Sequence, residues 1–450
     1  MWYTIQKGDA AMNKRYKYLL ALLAALLLSG CSMRTVDQMY QIPKRSENYN
    51  NLQSAIDRAM SGLEYCAPLA GENRQTVHMA DLDGDGDQEY LLFAKSTMER
   101  PLRILIFDLI DEVYVHTDTI ESNGSAFDQV EYVQMDGVGG VEVVVGSQLS
   151  DQVLRSVSVY SFSRGEAEQL VCANYTKFLT LDMDTDGLWE LFLLRPGQTD
   201  TDNGIAELYG VENGSMERSN EVNMSASPDK LKRILIGQLH DGQIAVYAAS
   251  TVGDTGLITD VYACIDGRLS NVSFSNESGT SIQTLRNYYV YADDIDNDGT
   301  VELPFLISMK PLEDNYSGDQ QALIRWFAMK ADGTEVNKLY TYHNFVGGWY
   351  LELDSDWAER ITVAQQGNTY VFYLWNNNKE ICWPLMRIYL LSGQNRDEQS
   401  QSDNRFVLYK TDSVTYAASL GNGAERYGVT QESLIREFHL IQHDWKTGET

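Results

Sequence analysis

The sequence predicts a mainly β protein: a β-propeller of about five four-stranded blades, with six or seven as the alternative, followed by a small C-terminal α+β domain. Three observations predict it. The stretch DLDGDGDQEYLLF from Asp81 recurs as DMDTDGLWELFLL from Asp182 and DIDNDGTVELPFL from Asp294, with weaker copies QMDGVGGVEVVVG from Gln134 and GQLHDGQIAVYAA from Gly237. The ninth positions, Glu89, Glu142, Glu190, Ala245 and Glu302, stand roughly 50 residues apart, a period that marks a repeat architecture. Each unit also reads as four short apolar-alternating runs, the last two joined by a tight turn: IDE, SRGE, ENGS, IDGR and ADGT. Asn-Gly and Asp-Gly between such runs signal hairpins, because both turn positions need positive φ. Four-stranded antiparallel units at this period suit propeller blades, which limit exposed sheet edges by radial repetition.

From the N-terminus, residues 1–31 read as a targeting segment. Lys14, Arg15 and Lys17 precede an apolar run from Tyr18 to Leu28, too short to span a bilayer as a helix. Met12 is the expected start of this signal. Leu28, Ser29, Gly30 and Cys31 resemble the lipobox of bacterial lipoproteins, which implies cleavage before Cys31 and a diacylglycerol on its sulfur. Two acyl chains are the condition for stable anchoring. The expected location is therefore extracytoplasmic and membrane-anchored. Cleavage removes Lys7, Lys14, Arg15 and Lys17 against Asp9, so the mature chain is still more acidic.

Residues 32–47 are polar and aperiodic, a tether. Within 48–75, Leu52, Ile56, Ala59, Met60 and Leu63 recur at helical spacing and predict one amphipathic helix. The repeats occupy 76–348. From 349 to 450 the pattern changes: ITVAQQGNTYVFYLW reads as a hairpin, PLMRIYLLS and RFVLYK as strands, and TQESLIREFHLI as a helix from Thr430. This mix gives the C-terminal domain, or alternatively one or two more blades. Cys66, Cys172, Cys264 and Cys382 are widely scattered and are expected to be buried free thiols.

The formal charge of −29 excludes nucleic acid and anionic lipid surfaces as direct partners, since both are bound through clustered Lys and Arg. Catalytic motifs are equally missing: there is no P-loop, GxSxG or dinucleotide fingerprint, and HLIQH at His439 and His443 lacks the glutamate of a zinc-protease helix.

The units resemble FG-GAP/VCBS-type calcium-loop propeller repeats, as in integrin α-subunit heads and many bacterial surface proteins, over roughly Thr76 to Trp349. Their specific part is the DxDxDGxxE loop, and the second and fourth units depart from it. Calcium needs six to eight oxygens in a flexible cage. Asp81, Asp83, Asp85, the carbonyl of Asp87 and Glu89 are the expected ligands in the first loop, with Gly86 supplying the sharp turn. The same roles fall on Asp182, Asp184, Asp186 and Glu190, and on Asp294, Asp296, Asp298 and Glu302, giving about three Ca²⁺ sites. An EF-hand is excluded because its twelfth position needs a bidentate glutamate, where these loops have Leu92, Leu193 and Phe305.

The reading of function is a lipid-anchored, calcium-stabilised binding protein, not an enzyme, whose propeller takes a glycan or protein ligand at the cell envelope. The alternatives are a hydrolase with carboxylates in the propeller channel and a structural subunit of an envelope complex.

Overall fold

The computed structural model describes residues 47–441, apart from 150–153, 164–165, 198–202, 213–214, 255, 288–289 and 313–320. Cys31, the rest of the targeting segment, nearly all of the tether and His443 lie outside the described residues. No helix among the described residues is long and apolar enough to cross a membrane.

Helix α1 (Glu47–Ala59) precedes the sheets. Its periodic Leu52, Ala55 and Ile56 pack on Leu92, Ala94, Leu105 and Phe107 of the first sheet, which is why the apolar stripe is helical in spacing. Six antiparallel sheets then follow one another along the chain, a mainly β, propeller-like architecture. The short β1 (Glu64–Tyr65) pairs with the end of β3 (Glu89–Lys95), itself flanked by β2 (Val77–Ala80) and followed by β4 (Leu102–Ile110) and β5 (Val113–Ser122). The second sheet runs β6 (Ala126–Val133), β7 (Glu142–Gln148), β8 (Arg155–Ser163), β9 (Glu166–Tyr175). The third runs β10 (Lys177–Leu181), β11 (Glu190–Arg195), β12 (Ile205–Glu212), β13 (Ser215–Asn223). The fourth runs β14 (Leu231–Gln238), β15 (Ile244–Val252), β16 (Gly256–Ile265), β17 (Arg268–Asn271).

The second to fifth sheets are each packed between two neighbours, and the first between α1 and the second, so the central strands are largely apolar on both faces. In β3, Leu91 and Phe93 meet Phe127, Val143 and Val145 of the second sheet, while Leu92 and Ala94 turn back to α1. This is period-two alternation with both faces covered. The same packing joins Val144 and Val159 to Phe178 and Leu193, Phe192 and Leu208 to Val246 and Tyr262, and Tyr247 and Val261 to Leu303 and Phe327.

Two turns show why the hairpin signals work. Asp266 and Gly267 have φ of 52° and 74°, and Asp111 and Glu112 have 48° and 64°, so both central residues are left-handed. The paired strands twist the same way as such turns. The expected turns at Arg164–Gly165 and Asn213–Gly214 lie outside the described residues.

The fourth unit needs a correction. Gly237 pairs with Ala245, whereas Ala80 pairs with Glu89 and Leu181 with Glu190. Gly237 therefore precedes its loop instead of opening it, and the loop is one residue shorter than the acidic ones.

The expected boundary at 348/349 runs through a hairpin. The fifth sheet is β18 (Glu302–Ile307), β19 (Gln321–Met329), β20 (Glu335–Asn344), β21 (Trp349–Leu353) and, from the far end of the chain, β27 (Phe438–Leu440). Its usual first strand is reduced to a bridge between Asp293 and Glu302. The sixth sheet orders β22 (Ile361–Gln366), β23 (Thr369–Trp375), β24 (Cys382–Ser392), β26 (Val414–Leu420) and β25 (Phe406–Lys410). Tyr342 and Trp349 of the fifth sheet share a core with Phe372, Leu374 and Leu385 of the sixth. Helix α2 (Arg396–Gln399) lies between β24 and β25. The helix expected from Thr430 is α3 (Gln431–Glu437), with Thr430 and Ser433 forming a capping box. It stops at Glu437 because Phe438 to Leu440 extend against β21.

The four cysteines are free, but only Cys264 is buried. Cys172 is exposed because it lies on the outermost strand of its sheet, one face of which meets solvent.

Candidate metal centres

Each acidic loop leaves the first strand of its sheet and enters the second. At the fourth position the backbone is left-handed in all three, at Gly84 (78°), Thr185 (63°) and Asn297 (59°), and again at the sixth, at Gly86 (95°), Gly187 (94°) and Gly299 (90°). Two such residues coil the chain around its own carboxylates. In the first loop Asp81 accepts the N–H of Gly84 (2.7 Å) and of Gly86 (3.1 Å), Asp83 accepts that of Asp85 (3.2 Å), and Asp85 that of Asp87 (2.8 Å). The third sheet repeats this with Gly187 on Asp182 (3.1 Å), Asp186 on Asp184 (3.2 Å) and Leu188 on Asp186 (2.8 Å). The fifth repeats it with Gly299 on Asp294 (2.9 Å), Asp298 on Asp296 (3.2 Å) and Thr300 on Asp298 (2.9 Å).

The carboxylates that converge, with one oxygen each within 4.8 Å of the others, are Asp81, Asp83 and Asp85; Asp182, Asp184 and Glu190; and Asp294, Asp296 and Glu302. Three clusters can thus hold a metal ion. Of the expected ligands, Asp87, Glu89, Asp186 and Asp298 are not among these converging groups. Asp87 gives its N–H to Asp85, and Asp186 and Asp298 accept the equivalent N–H of Leu188 and Thr300.

The ninth-position glutamates test whether a cation fits. Glu89, Glu190 and Glu302 each spend one oxygen on a loop N–H, from Leu82 (2.6 Å), Met183 (2.7 Å) and Ile295 (3.1 Å). The other oxygen of Glu89 and of Glu302 is buried without a hydrogen-bond partner, as is one oxygen of Asp182. Buried unpartnered carboxylate oxygens cost several kcal/mol if charged, unless a cation neutralises them. Burial, seconded by the neighbouring aspartates, pushes Glu89 and Glu190 up to about 7 and Glu302 up to about 8. The donor set is all oxygen, which suits a hard cation.

The second loop keeps the fold of the motif with two of its four carboxylates, Asp136 and Glu142. Glu142 accepts from Met135 (2.7 Å), and Gly137 and Gly139 are left-handed, but Gln134 and Val138 replace the first and fifth aspartates. In the fourth, Asp241 accepts the N–H of Ala331 (2.9 Å) and joins two sheets.

Two charged residues of the site carry no local sequence signal. Phe107 pairs with Tyr90, so Asp108 stands opposite Glu89; burial and the aspartates of the first loop raise its pKa. Lys338 on β20 binds Asp298 and lies 3.7 Å from Glu302. It holds Asp298 down to about 2. Beside the third-sheet loop a cavity of about 190 Å³ is lined by Asp184, Asp186, Glu190, Ser219, Cys264 and Gly267, so the loop and the neighbouring sheet's hairpin share one rim.

No protein-family model matches the chain, and no curated protein matches it. Solved structures similar to it include an exotype rhamnogalacturonan lyase, YesX, with 11% identity over 73% of this chain and 63% of that one, at a TM-score of 0.26. The rhamnogalacturonan lyase YesW shares 12% identity over 72% of this chain and 74% of its own, at a TM-score of 0.27. A protein from Lactobacillus plantarum shares 10% over 71% and 86%, at a TM-score of 0.23. The chain thus spans 63% of the length of YesX. At these identities and TM-scores, the likenesses assign no activity to the present chain.

Proposed function

We propose that this is an extracytoplasmic binding lipoprotein, tethered through a lipid on Cys31, whose FG-GAP/VCBS-like loops take up calcium to stiffen one rim of the propeller. The opposite rim then presents the ligand-binding loops. The observation that supports this reading is the recurrence, in three sheets, of three converging carboxylates in the same loop, with the ninth-position glutamate among them in the third and fifth sheets and buried beside them in the first. Calcium, when bound, supplies positive charge to oxygens the fold has taken out of water. Asp81, Asp83, Asp85 and Glu89 would hold one ion; Asp182, Asp184 and Glu190 a second; Asp294, Asp296 and Glu302 belong to a third loop.

The second strands β3, β7, β11 and β18 run away from the loop positions and end at Lys95, Gln148, Arg195 and Ile307, and loops at that end of a rigid scaffold would be the ones to carry recognition. Among the described residues, the glutamates pushed up to about 7 or 8, Glu89, Glu142, Glu190 and Glu302, all stand at the ninth position of a loop. A glycan array and an envelope pull-down with the calcium-loaded protein test the reading. Specific turnover of an envelope polymer would overturn it in favour of the hydrolase. Cys31→Ser should abolish metabolic labelling with palmitate; unchanged labelling would remove the anchor from the proposal.

A further inference from the structure

The four sheets that carry a ninth-position glutamate share a second feature, a β-bulge between their third and fourth strands at one common register. The shift falls between Ile106 and Phe107, Val159 and Tyr160, Leu208 and Tyr209, and Trp326 and Phe327. In each case the residue after the shift is the partner of, or one place from, the tenth position of the loop motif: Tyr90 pairs with Phe107, Val143 with Tyr160, Leu191 with Tyr209 and Leu303 with Phe327. In the fourth sheet, which has Ala245 instead of a glutamate, the third and fourth strands pair only from Tyr262–Asn271 to Ile265–Arg268, so the pairing ends at the register where the others shift. A bulge inserts one unpaired residue and re-aims its side chain. Here the inserted residues are Thr117, Leu170, Ser219 and Lys338.

In the third and fifth sheets the side chain at this position reaches the loop, whereas Thr117 turns to the Ile106 carbonyl and Leu170 packs against the core. Ser219 lines the same cavity as Asp184 and Glu190, and Lys338 contacts Asp298 and Glu302. Lys338 is largely sheltered, with 14% of its side chain exposed, and Glu302 is fully buried. Where the third sheet puts a neutral hydroxyl, the fifth puts an ammonium. Among the described residues, no Lys or Arg forms an ion pair with the carboxylates of the first or third-sheet loops.

Resting on the metal reading above, we propose that Lys338 is the resident cation of the Asp294–Glu302 loop, so that this protein has two strong divalent-cation sites and a third that its own lysine neutralises. A divalent ion entering the third loop must share the cluster with the ammonium or displace it from Asp298 and Glu302. The loop keeps its coiled geometry either way, because the aspartates still accept their backbone donors. The first loop is the opposite case, since Asp108 adds a further carboxyl group beside Glu89. In the fifth sheet the bulge residue therefore decides whether the loop needs an external ion.

Calcium titration calorimetry on the full chain tests this, with wild type, Lys338→Met and Lys338→Arg compared. Wild type and Lys338→Arg should bind two equivalents tightly and a third at least about tenfold more weakly, since ligand charge tunes such sites over orders of magnitude. Lys338→Met should bring the third into the range of the other two. Three equal equivalents in wild type, or a third site as weak in Lys338→Met as before, would overturn the proposal. Asp83→Ala and Asp184→Ala separate the two readings, because each should cost one tight equivalent in either background. If neither loop takes up calcium, the metal reading fails first, and melting in EDTA then decides the role of Lys338. Lys338→Met should lower that melting temperature and Lys338→Arg should not; an unchanged Lys338→Met would remove the resident cation as well.

Discussion

The backbone N–H of Val141 donates to the carbonyl of Asp81 at 3.0 Å, tying the second sheet to the first through the residue that opens the first metal loop. The link recurs: Trp189 donates to Gln134 at 2.9 Å and Val301 to Gln238 at 3.0 Å. In these three sheets the residue just before the ninth position hydrogen-bonds to the start of the preceding sheet's loop. An ion that fixes Asp81 through its carboxylate also fixes the carbonyl that holds the next sheet. Local coordination and inter-sheet packing are coupled through one residue.

Removing the ion from the first loop should therefore loosen the seam between the first two sheets. Extracellular calcium modules bind at about 10⁻⁴ to 10⁻³ M, so at roughly 1 mM calcium a site of 0.1 mM affinity stabilises the fold by about 1.4 kcal/mol. EDTA should lower the melting temperature, and calcium should restore it better than magnesium, which demands a smaller octahedral shell. Scanning calorimetry in the three conditions checks this.

The repeats provide internal controls. Asp83→Ala and Asp184→Ala should each remove part of the calcium-dependent shift, whereas Asp136→Ala, in the incomplete second loop, should not. Asp241→Ala should behave differently from both: it removes the acceptor of the Ala331 N–H and should lower stability by about 1 kcal/mol with or without calcium. Chemical denaturation with and without the ion distinguishes the three patterns.

The seam between the first two loops admits no side chain. A Cβ on Gly140 would lie 2.1 Å from the carbonyl oxygen of Asp81, and one on Gly84, whose φ is +78°, would lie 2.4 Å from the backbone of Gly139. Gly140→Ala should cost on the order of 2 kcal/mol or more, because the obstacle is backbone on both sides. It should also weaken calcium at the first loop, although no ligand is altered. Gly86→Ala, with open space around its Cβ but φ of +95°, should cost about 1 kcal/mol through strain alone.

Proton competition follows from the buried glutamates. A carboxyl group whose folded pKa is raised contributes stability that is complete below its unfolded value, near 4.5, and is lost as pH rises through the folded value. For Glu89, Glu142 and Glu190 that upper limit is about 7, and for Glu302 about 8. In EDTA, these four groups should make the protein less stable at pH 8 than at pH 6. Calcium should cancel the loss for the metal loops and release protons on binding near pH 6. Titration in buffers of different ionisation enthalpy measures that release; a buffer-independent heat would contradict it.

Much of this was legible along the chain, because its determinants are local. The DxDxDG spacing coils a loop through residues five apart, as the Gly86 N–H on Asp81 shows, and the alternation of Leu91 to Ala94 follows from a strand covered on both faces. Asp266–Gly267 specifies its own turn. The three acidic loops could be counted before any coordinates, and so could the helix that covers the first sheet. What tertiary structure decided was everything set by pairing between distant strands. β27 joins the fifth sheet because the edge of β21 is open to it, not because Phe438 to Leu440 read as a strand. β26 inserts beside β24 out of chain order. Gly237 falls opposite Ala245 by register alone. Asp108 and Lys338 sit in ordinary strand sequence, and only the β-bulge and the cross-strand register bring them to the carboxylates. Charge that lies a few residues away is written in the motif, whereas charge that arrives across a sheet edge depends on which strand the backbone hydrogen bonds select.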